Sequence, residues 1–218
     1  MIQPLAYIHP QARIADNVVI EPFVTIHKDV EIGEGTWVGS NATIMDGARI
    51  GKNCRIFPGA VVSAPPQDLK YRGEQSTVTI GDNTTIRECV TLNRGTALDK
   101  NTTTIGSNCL LMAYVHVAHD CVIGDNVIIA NSVQLAGHIN IYEYAFIGGT
   151  SAVHQFVEIG AHSMISGGSL VRKDVPPYTK AGREPLSYIG INSVGLRRRG
   201  YSATTINEIQ EIYRIIFL

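Results

Sequence analysis

An aliphatic side chain recurs at every sixth position through most of this chain. The beat runs Ile8, Ile14, Ile20, Ile26, Ile32, Val38, Ile44, Ile50, Ile56 and Val62, and returns at Ile80, Ile86 and Leu92. After a slip of one residue it continues from Ile105 to Val171. A second beat four residues later takes smaller side chains, as at Ala12, Val18, Val30, Thr36, Ala42, Ala48, Cys54 and Ala60. The position after the aliphatic residue is often glycine, as at Gly33, Gly39, Gly51, Gly81, Gly106, Gly124, Gly148 and Gly160. A period of six fits neither a helix nor simple alternation along a strand. It predicts short strands separated by regularly spaced bends, with a narrow core of one large and one small side chain per hexad. Glycine beside each bend is expected to supply positive φ.

The pattern resembles the left-handed parallel β-helix of the hexapeptide acyltransferase superfamily, in which three hexads make a triangular coil of 18 residues. Handedness comes from that resemblance, because parallel crossovers in general are right-handed. The expected fold is therefore an all-β solenoid, a left-handed parallel β-helix over residues 1–177, with coils stacked about 4.8 Å apart. Excursions are expected near 63–79 and 93–104. The first carries Pro65, Pro66 and several charges, which no stacked coil accommodates. The spacing from Val62 to Ile80 is a multiple of six, so the winding is expected to continue in register across it. Pro176-Pro177 ends the beat. Residues 178–218 are read as a linker and then the start of a C-terminal α-helical tail. In that tail Ile206, Ile209, Tyr213 and Ile216 recur at helical spacing behind Ser202, a suitable N-cap. The amphipathic run is still open at Leu218, which suggests a truncated tail.

Charged residues make up only 17% of the chain and the net charge is −1, so nothing global points to nucleic acid. The charge is uneven, however: from Arg172 onward eight basic residues face four acidic ones. Such an end suits an acidic or phosphorylated partner. Cys54, Cys109 and Cys121 fall on the small-residue beat and read as core packing, whereas Cys89 does not fit it. No signal peptide and no bilayer-spanning apolar run is present in the sequence, so the expected location is cytoplasmic.

Five of the seven histidines fall late: His116, His119, His138, His154 and His162. Residues 18 apart should lie one above the other, which puts His119, Gly137-His138 and His154-Gln155 on one edge of the prism. His116 sits at a bend of the same coil as His119. A lone surface histidine is usually neutral to function, but several on one edge suggest chemistry. Two readings compete: three imidazoles converging on zinc, or one imidazole acting as general base while the others bind substrate.

The surrounding motifs favour the second reading. His116-Val117-Ala118-His119-Asp120-Cys121, Leu135-Ala136-Gly137-His138, Gly148-Gly149-Thr150-Ser151-Ala152-Val153-His154-Gln155-Phe156 and Asp174-Val175-Pro176-Pro177-Tyr178 resemble the UDP-N-acetylglucosamine O-acyltransferases of lipid A biosynthesis. So do Gln67-Asp68-Leu69-Lys70-Tyr71, Asn93-Arg94-Gly95-Thr96 and Gly195-Leu196-Arg197-Arg198-Arg199-Gly200. The resemblance covers essentially the whole chain. It implies transfer of an (R)-3-hydroxyacyl chain from acyl carrier protein to the glucosamine 3-hydroxyl, without cofactor or metal. It implies His119 as general base, Asp120 as its orienting carboxylate and the Gly137 N–H as oxyanion donor. His116, His138 and Gln155 match contacts to the sugar nucleotide, and Asp68 and Lys70 match substrate contacts on the first excursion. His154 matches a further motif histidine with no role assigned. Asn192, Arg198 and Arg199 match nucleotide contacts, and Gly167 matches the position limiting acyl length, its lack of a side chain implying a long chain. Val194 departs from the family pattern, where relatives commonly carry Glu. The resemblance also implies a homotrimer with sites between prisms, and leaves open that Lys70 serves a site whose base comes from a neighbouring chain.

Three rival readings follow from the same residues. A γ-class carbonic-anhydrase-like zinc hydratase shares the fold and needs three converging imidazoles. A non-catalytic hexapeptide scaffold has no need of His119-Asp120 beside a Gly-His pair. An N-acyltransferase of the same pathway usually carries an extra domain before the β-helix, whereas hexads here begin at Ile8.

Overall fold

The structure is a computed structural model and describes residues 1–217. Strands of two to four residues wind into a three-faced left-handed parallel β-helix. The first face has nine strands, from Tyr7–Ile8 to Leu170–Val171, and the second has eight, from Arg13–Ile14 to Glu158–Ile159. The third has ten and starts at Val19–Ile20. In each two-residue strand the second residue points inward and carries the six-residue beat. Ile26 lies on Ile44 and Ile44 on Val62, and all three are fully buried. Each such side chain contributes about 1.5–3 kcal/mol through burial. Cys54, Cys109 and Cys121 are buried among them, with thiols facing backbone carbonyls of the next coil. Burial pushes the Cys109 thiol up to about 11 and the Cys121 thiol up to about 12, so both are inert at neutral pH.

The glycines of the repeat serve a different purpose from the one expected. The bends do require positive φ, but mostly at other residues. On the second edge, between the second and third faces, the positions are Gly35, which is not a repeat glycine, and then Asn53, Asn83, Asn108, Asn126, Tyr144, His162 and Tyr178. Asn visits this region more readily than other non-glycine residues. The repeat glycines lack positive φ and are needed because coils meet closely there. A Cβ on Gly106 would lie 2.6 Å from the Gly124 carbonyl carbon, and one on Gly33 would lie 2.8 Å from that of Gly51.

The two excursions occupy residues 65–76 and 94–101, between strands Val61–Ala64 and Thr77–Ile80 and between Thr91–Asn93 and Thr102–Ile105. Each joins a first-face strand to the adjacent second-face strand, so both open on the first edge of the prism. The six-fold spacing across the first one is coincidental. Val62 and Ile80 are successive inward residues of one coil, and the excursion adds no turn. Val62 therefore pairs with Leu92, and Ile80 with Ile105. The 18-residue offset is regained beyond the second excursion, where Val117 lies on Leu135 and Leu135 on Val153.

The segment expected as a linker is ordered. Strand Thr179–Gly182 continues the third face, and Ser187–Ile191 folds back antiparallel onto it. This pairing carries no six-residue beat, which is why the repeat did not reveal it. Helix α1 (Ser193–Arg198) follows, then α2 (Ala203–Phe217). Ser202 Oγ accepts the Thr205 N–H at 3.0 Å, capping α2. Ile191, Leu196, Ile206 and Tyr213 form a small second core beneath these helices. Among the described residues no helix is long and apolar enough to cross a membrane.

Candidate active site

Bends of the first edge fall at residues 118–121, 136–139 and 154–157, and register stacks them directly. The His138 N–H donates to the His119 carbonyl, and the Phe156 N–H to that of Gly137. His119, Asp120, Gly137, His138, His154 and Gln155 thus share one edge, as the offset predicted. Asp120 and His138 occupy this edge's left-handed positions, at φ 59° and 65°.

His119 Nδ1 donates to Asp120 Oδ2 at 2.9 Å, leaving Nε2 as the free ring nitrogen. The Asp120 side chain is fully buried and that of His119 is 14% exposed. An isolated buried carboxylate would be costly. Here it also accepts the Thr96 N–H at 3.0 and 3.1 Å and the Thr96 hydroxyl at 2.6 Å. Gly137 lies against the His119 ring, where a Cβ would come within 2.8 Å of Cε1 and 2.9 Å of Nε2. The Gly137 N–H donates to no atom among the described residues. The His138 ring meets His119 edge-on, with centroids 4.9 Å apart, and stacks on Phe156 at 4.6 Å. Its Nδ1 lies 2.6 Å from Asp99 Oδ2. Burial raises the Asp99 carboxyl, but hydrogen bonds from His138 and Lys100 outweigh it and hold the group below its ordinary value.

Both excursions fold over this edge. Asp68, Lys70, Leu98, Asp99, His138 and Phe156 help line a cleft of about 530 Å³. Lys70 lines this cleft together with the His138 of its own chain. Sequence reasoning quoted Thr96 and Phe156 within motifs but gave them no role, and it missed Asp99 and Lys100. Lys100 Nζ donates to Asp99 Oδ2 and to the Asp120 carbonyl, both at 3.1 Å, and so clips the second excursion down.

Other expected site residues stand apart from the His119–Asp120–His138 cluster. His116 is on the first face, where its Nδ1 pairs with Thr91 Oγ1 at 2.8 Å and burial pushes its pKa down. His154 is exposed, its Nδ1 3.1 Å from the Gln155 carbonyl oxygen, and no ring contact joins it to His119 or His138 among the described residues. Gly167 is at the third edge, against Gly149. Asn192 caps α1 and donates to the His162 carbonyl at 2.9 Å, on the second edge. Arg199 donates to the Tyr144 carbonyl there at 2.9 Å and lies over the Tyr144 ring. Arg198 is exposed on α1. Val194, the departure from the family pattern, is exposed on the same helix.

His119, Asp120 and His138 each offer a ligand atom within 4.8 Å of the others. The donor set nonetheless fits a zinc hydratase poorly, because among the described residues of one chain only two imidazoles meet and the carboxylate is already engaged by Thr96. A buried imidazole–carboxylate pair with a free Nε2, beside an unpartnered N–H, suits acyl transfer better.

Fold and edge together define a hexapeptide-repeat acyltransferase. A family model described as bacterial transferase hexapeptide (six repeats) matches residues 29–64 and 102–137. Another, described as UDP N-acetylglucosamine O-acyltransferase, domain 2, matches residues 174–218. The chain is 43% identical to the acyl-[acyl-carrier-protein]–UDP-N-acetylglucosamine O-acyltransferase of Verminephrobacter eiseniae, over 98% of its own length and 84% of the relative's. It is 48% identical to the enzyme of the same name from Thermodesulfovibrio yellowstonii, over 99% and 84%. The solved UDP-N-acetylglucosamine acyltransferase of Bacteroides fragilis superimposes with a TM-score of 0.98 at 54% identity, covering 100% of this chain and 85% of that one. The chain belongs to the UDP-N-acetylglucosamine O-acyltransferase family.

Proposed function

We propose that the protein moves an (R)-3-hydroxyacyl chain from acyl carrier protein to the glucosamine 3-hydroxyl of UDP-N-acetylglucosamine, opening lipid A biosynthesis, with His119 as general base. The observation that carries this reading is the His119–Asp120 pair seated against Gly137, with His138 and the Asp68–Lys70 excursion beside it. Nε2 of His119 takes the proton of the 3-hydroxyl as that oxygen attacks the thioester carbonyl. The Gly137 N–H donates to the oxyanion that forms. Collapse breaks the carbon–sulfur bond, and the imidazolium, stabilised by Asp120, returns the proton to the leaving thiolate. Asp68, Lys70, His116, His138 and Gln155 bind the acceptor and the adjoining part of the donor. Gly167 sets the room for the acyl tail.

Asn192, Arg198 and Arg199 act as nucleotide contacts in this reading, with guanidinium groups suited to a diphosphate. They lie toward the second edge of the prism, so in this proposal they serve the His119 site of a neighbouring protomer in a homotrimer. The outward third-face row Leu110, Ile128, Phe146 and Met164 is apolar and half-buried, as a packed neighbour would require. Acyl carrier protein and a sugar nucleotide as substrates go with a cytoplasmic location.

Incubation with UDP-N-acetylglucosamine and a series of hydroxyacyl carrier proteins, with products read by mass and linkage, tests the reading. An ester at the 3-hydroxyl is expected. Amide formation at a 2-amine, or carbon dioxide hydration that follows bound zinc, would replace it.

A further inference from the structure

The second excursion supports both histidines of the cluster. Thr96 holds Asp120, which holds His119. Three residues later Asp99 reaches His138, thirty-nine positions away in sequence. We propose that Asp99 is a positioning residue: its carboxylate keeps the His138 imidazole protonated on Nδ1, so that the ring presents Nε2 to the acceptor sugar in one fixed orientation.

The geometry restricts the ring in three ways. Phe156 stacks on it with an interplanar angle of 10°, which fixes its plane. His119 meets it edge-on at 89°. Stacking alone leaves two ring orientations related by a flip about the Cβ–Cγ bond, and it selects neither tautomer. The 2.6 Å contact to Asp99 removes both ambiguities, because a carboxylate accepts only from a protonated nitrogen. A hydrogen bond to one ring nitrogen sets the state of the other. Lys100 holds Asp99 in turn and ties it to the Asp120 carbonyl, so the carboxylate is not free to swing away.

This inference rests on the proposed reaction for its substrate, and its test separates the two. Ring 15N NMR of histidine-labelled protein, with His138 assigned by comparison with His138→Gln, reads the tautomer directly. The measurement is made well above the imidazole reference pKa of about 6.5. Wild type is expected to show His138 wholly in the Nδ1–H form. Asp99→Ala is expected to give a mixture and to raise KM for UDP-N-acetylglucosamine on the order of tenfold, with kcat changed much less. Asp99→Asn, whose side-chain oxygen still accepts from Nδ1, is expected to restore the tautomer and most of KM. An unchanged His138 tautomer in Asp99→Ala overturns the proposal, as does a KM no better in Asp99→Asn than in Asp99→Ala. A wild-type protein that leaves UDP-N-acetylglucosamine untouched refutes the proposed reaction, while the tautomer still decides the role of Asp99.

Discussion

Thr96 closes on Asp120 from twenty-four residues away, its hydroxyl 2.6 Å from one carboxylate oxygen and its N–H within 3.1 Å of both. The buried carboxylate behind the proposed general base is therefore held by an excursion as well as by the His119 ring it faces. Hydrogen bonds to a charged group contribute about 1.5–3 kcal/mol each. Thr96→Val removes one and leaves the N–H in place. Steady-state kinetics are expected to show kcat about tenfold lower, with the far-UV spectrum of the β-helix retained. Full turnover in that variant would mean that the Thr96 hydroxyl does not matter to His119.

His119→Ala removes the proposed proton acceptor without touching the inward beat. Acyl transfer is expected to fall by about 10²–10⁴, the range that general-base catalysis supplies. Thermal unfolding should stay near that of wild type. A variant that turns over normally would end the general-base assignment.

Gly137→Ala is a steric test of the same centre. The new methyl would lie 2.8 Å from the His119 ring, so the imidazole must move or the bend must open. Turnover is expected to drop on the order of a hundredfold, since small misplacements of a catalytic group have effects of that size. A crystal structure of the variant should show the His119 ring displaced. Unchanged ring position together with unchanged rate would count against the close packing described above.

His162 gives a prediction for pH. It is buried at the second edge, stacked between Tyr144 and Tyr178, with Tyr201 edge-on. Burial first, and then the charge of Arg199, push its pKa below the ordinary value, against a smaller opposing effect of Glu143. The unfolded chain therefore takes up a proton at His162 before the folded chain does. Its contribution is present above the unfolded value of about 6.5 and is lost as pH falls below it. His162→Phe keeps the ring stack and removes the titration. Melting temperature is expected to fall less between about pH 7.5 and pH 5.5 in this variant than in wild type. Parallel curves for the two proteins would show that His162 is not coupled to folding.

The winding was legible because it is periodic. Each inward Ile, Leu or Val repeats one physical demand, and the 18-residue offset carries His119 onto Gly137 and Gln155. The excursions were legible as interruptions but not in their contacts, because where Thr96 and Asp99 come to rest depends on the path of a loop without a period. The tail hairpin escaped for a related reason: Thr179–Gly182 and Ser187–Ile191 pair antiparallel and share no beat with the coils. The repeat glycines were visible but misread. Close approach between coils and positive φ both favour glycine, and only coordinates separate them.

Both excursions open on one edge, and the strands flanking each keep their partners in the turns above and below. The inserts thereby add groups to the edge without disturbing the frame that carries it. A descendant of this chain could exchange the first insert, in length or content, but in the second it would have to keep Thr96 and Asp99 for its imidazoles to stay as they are set here.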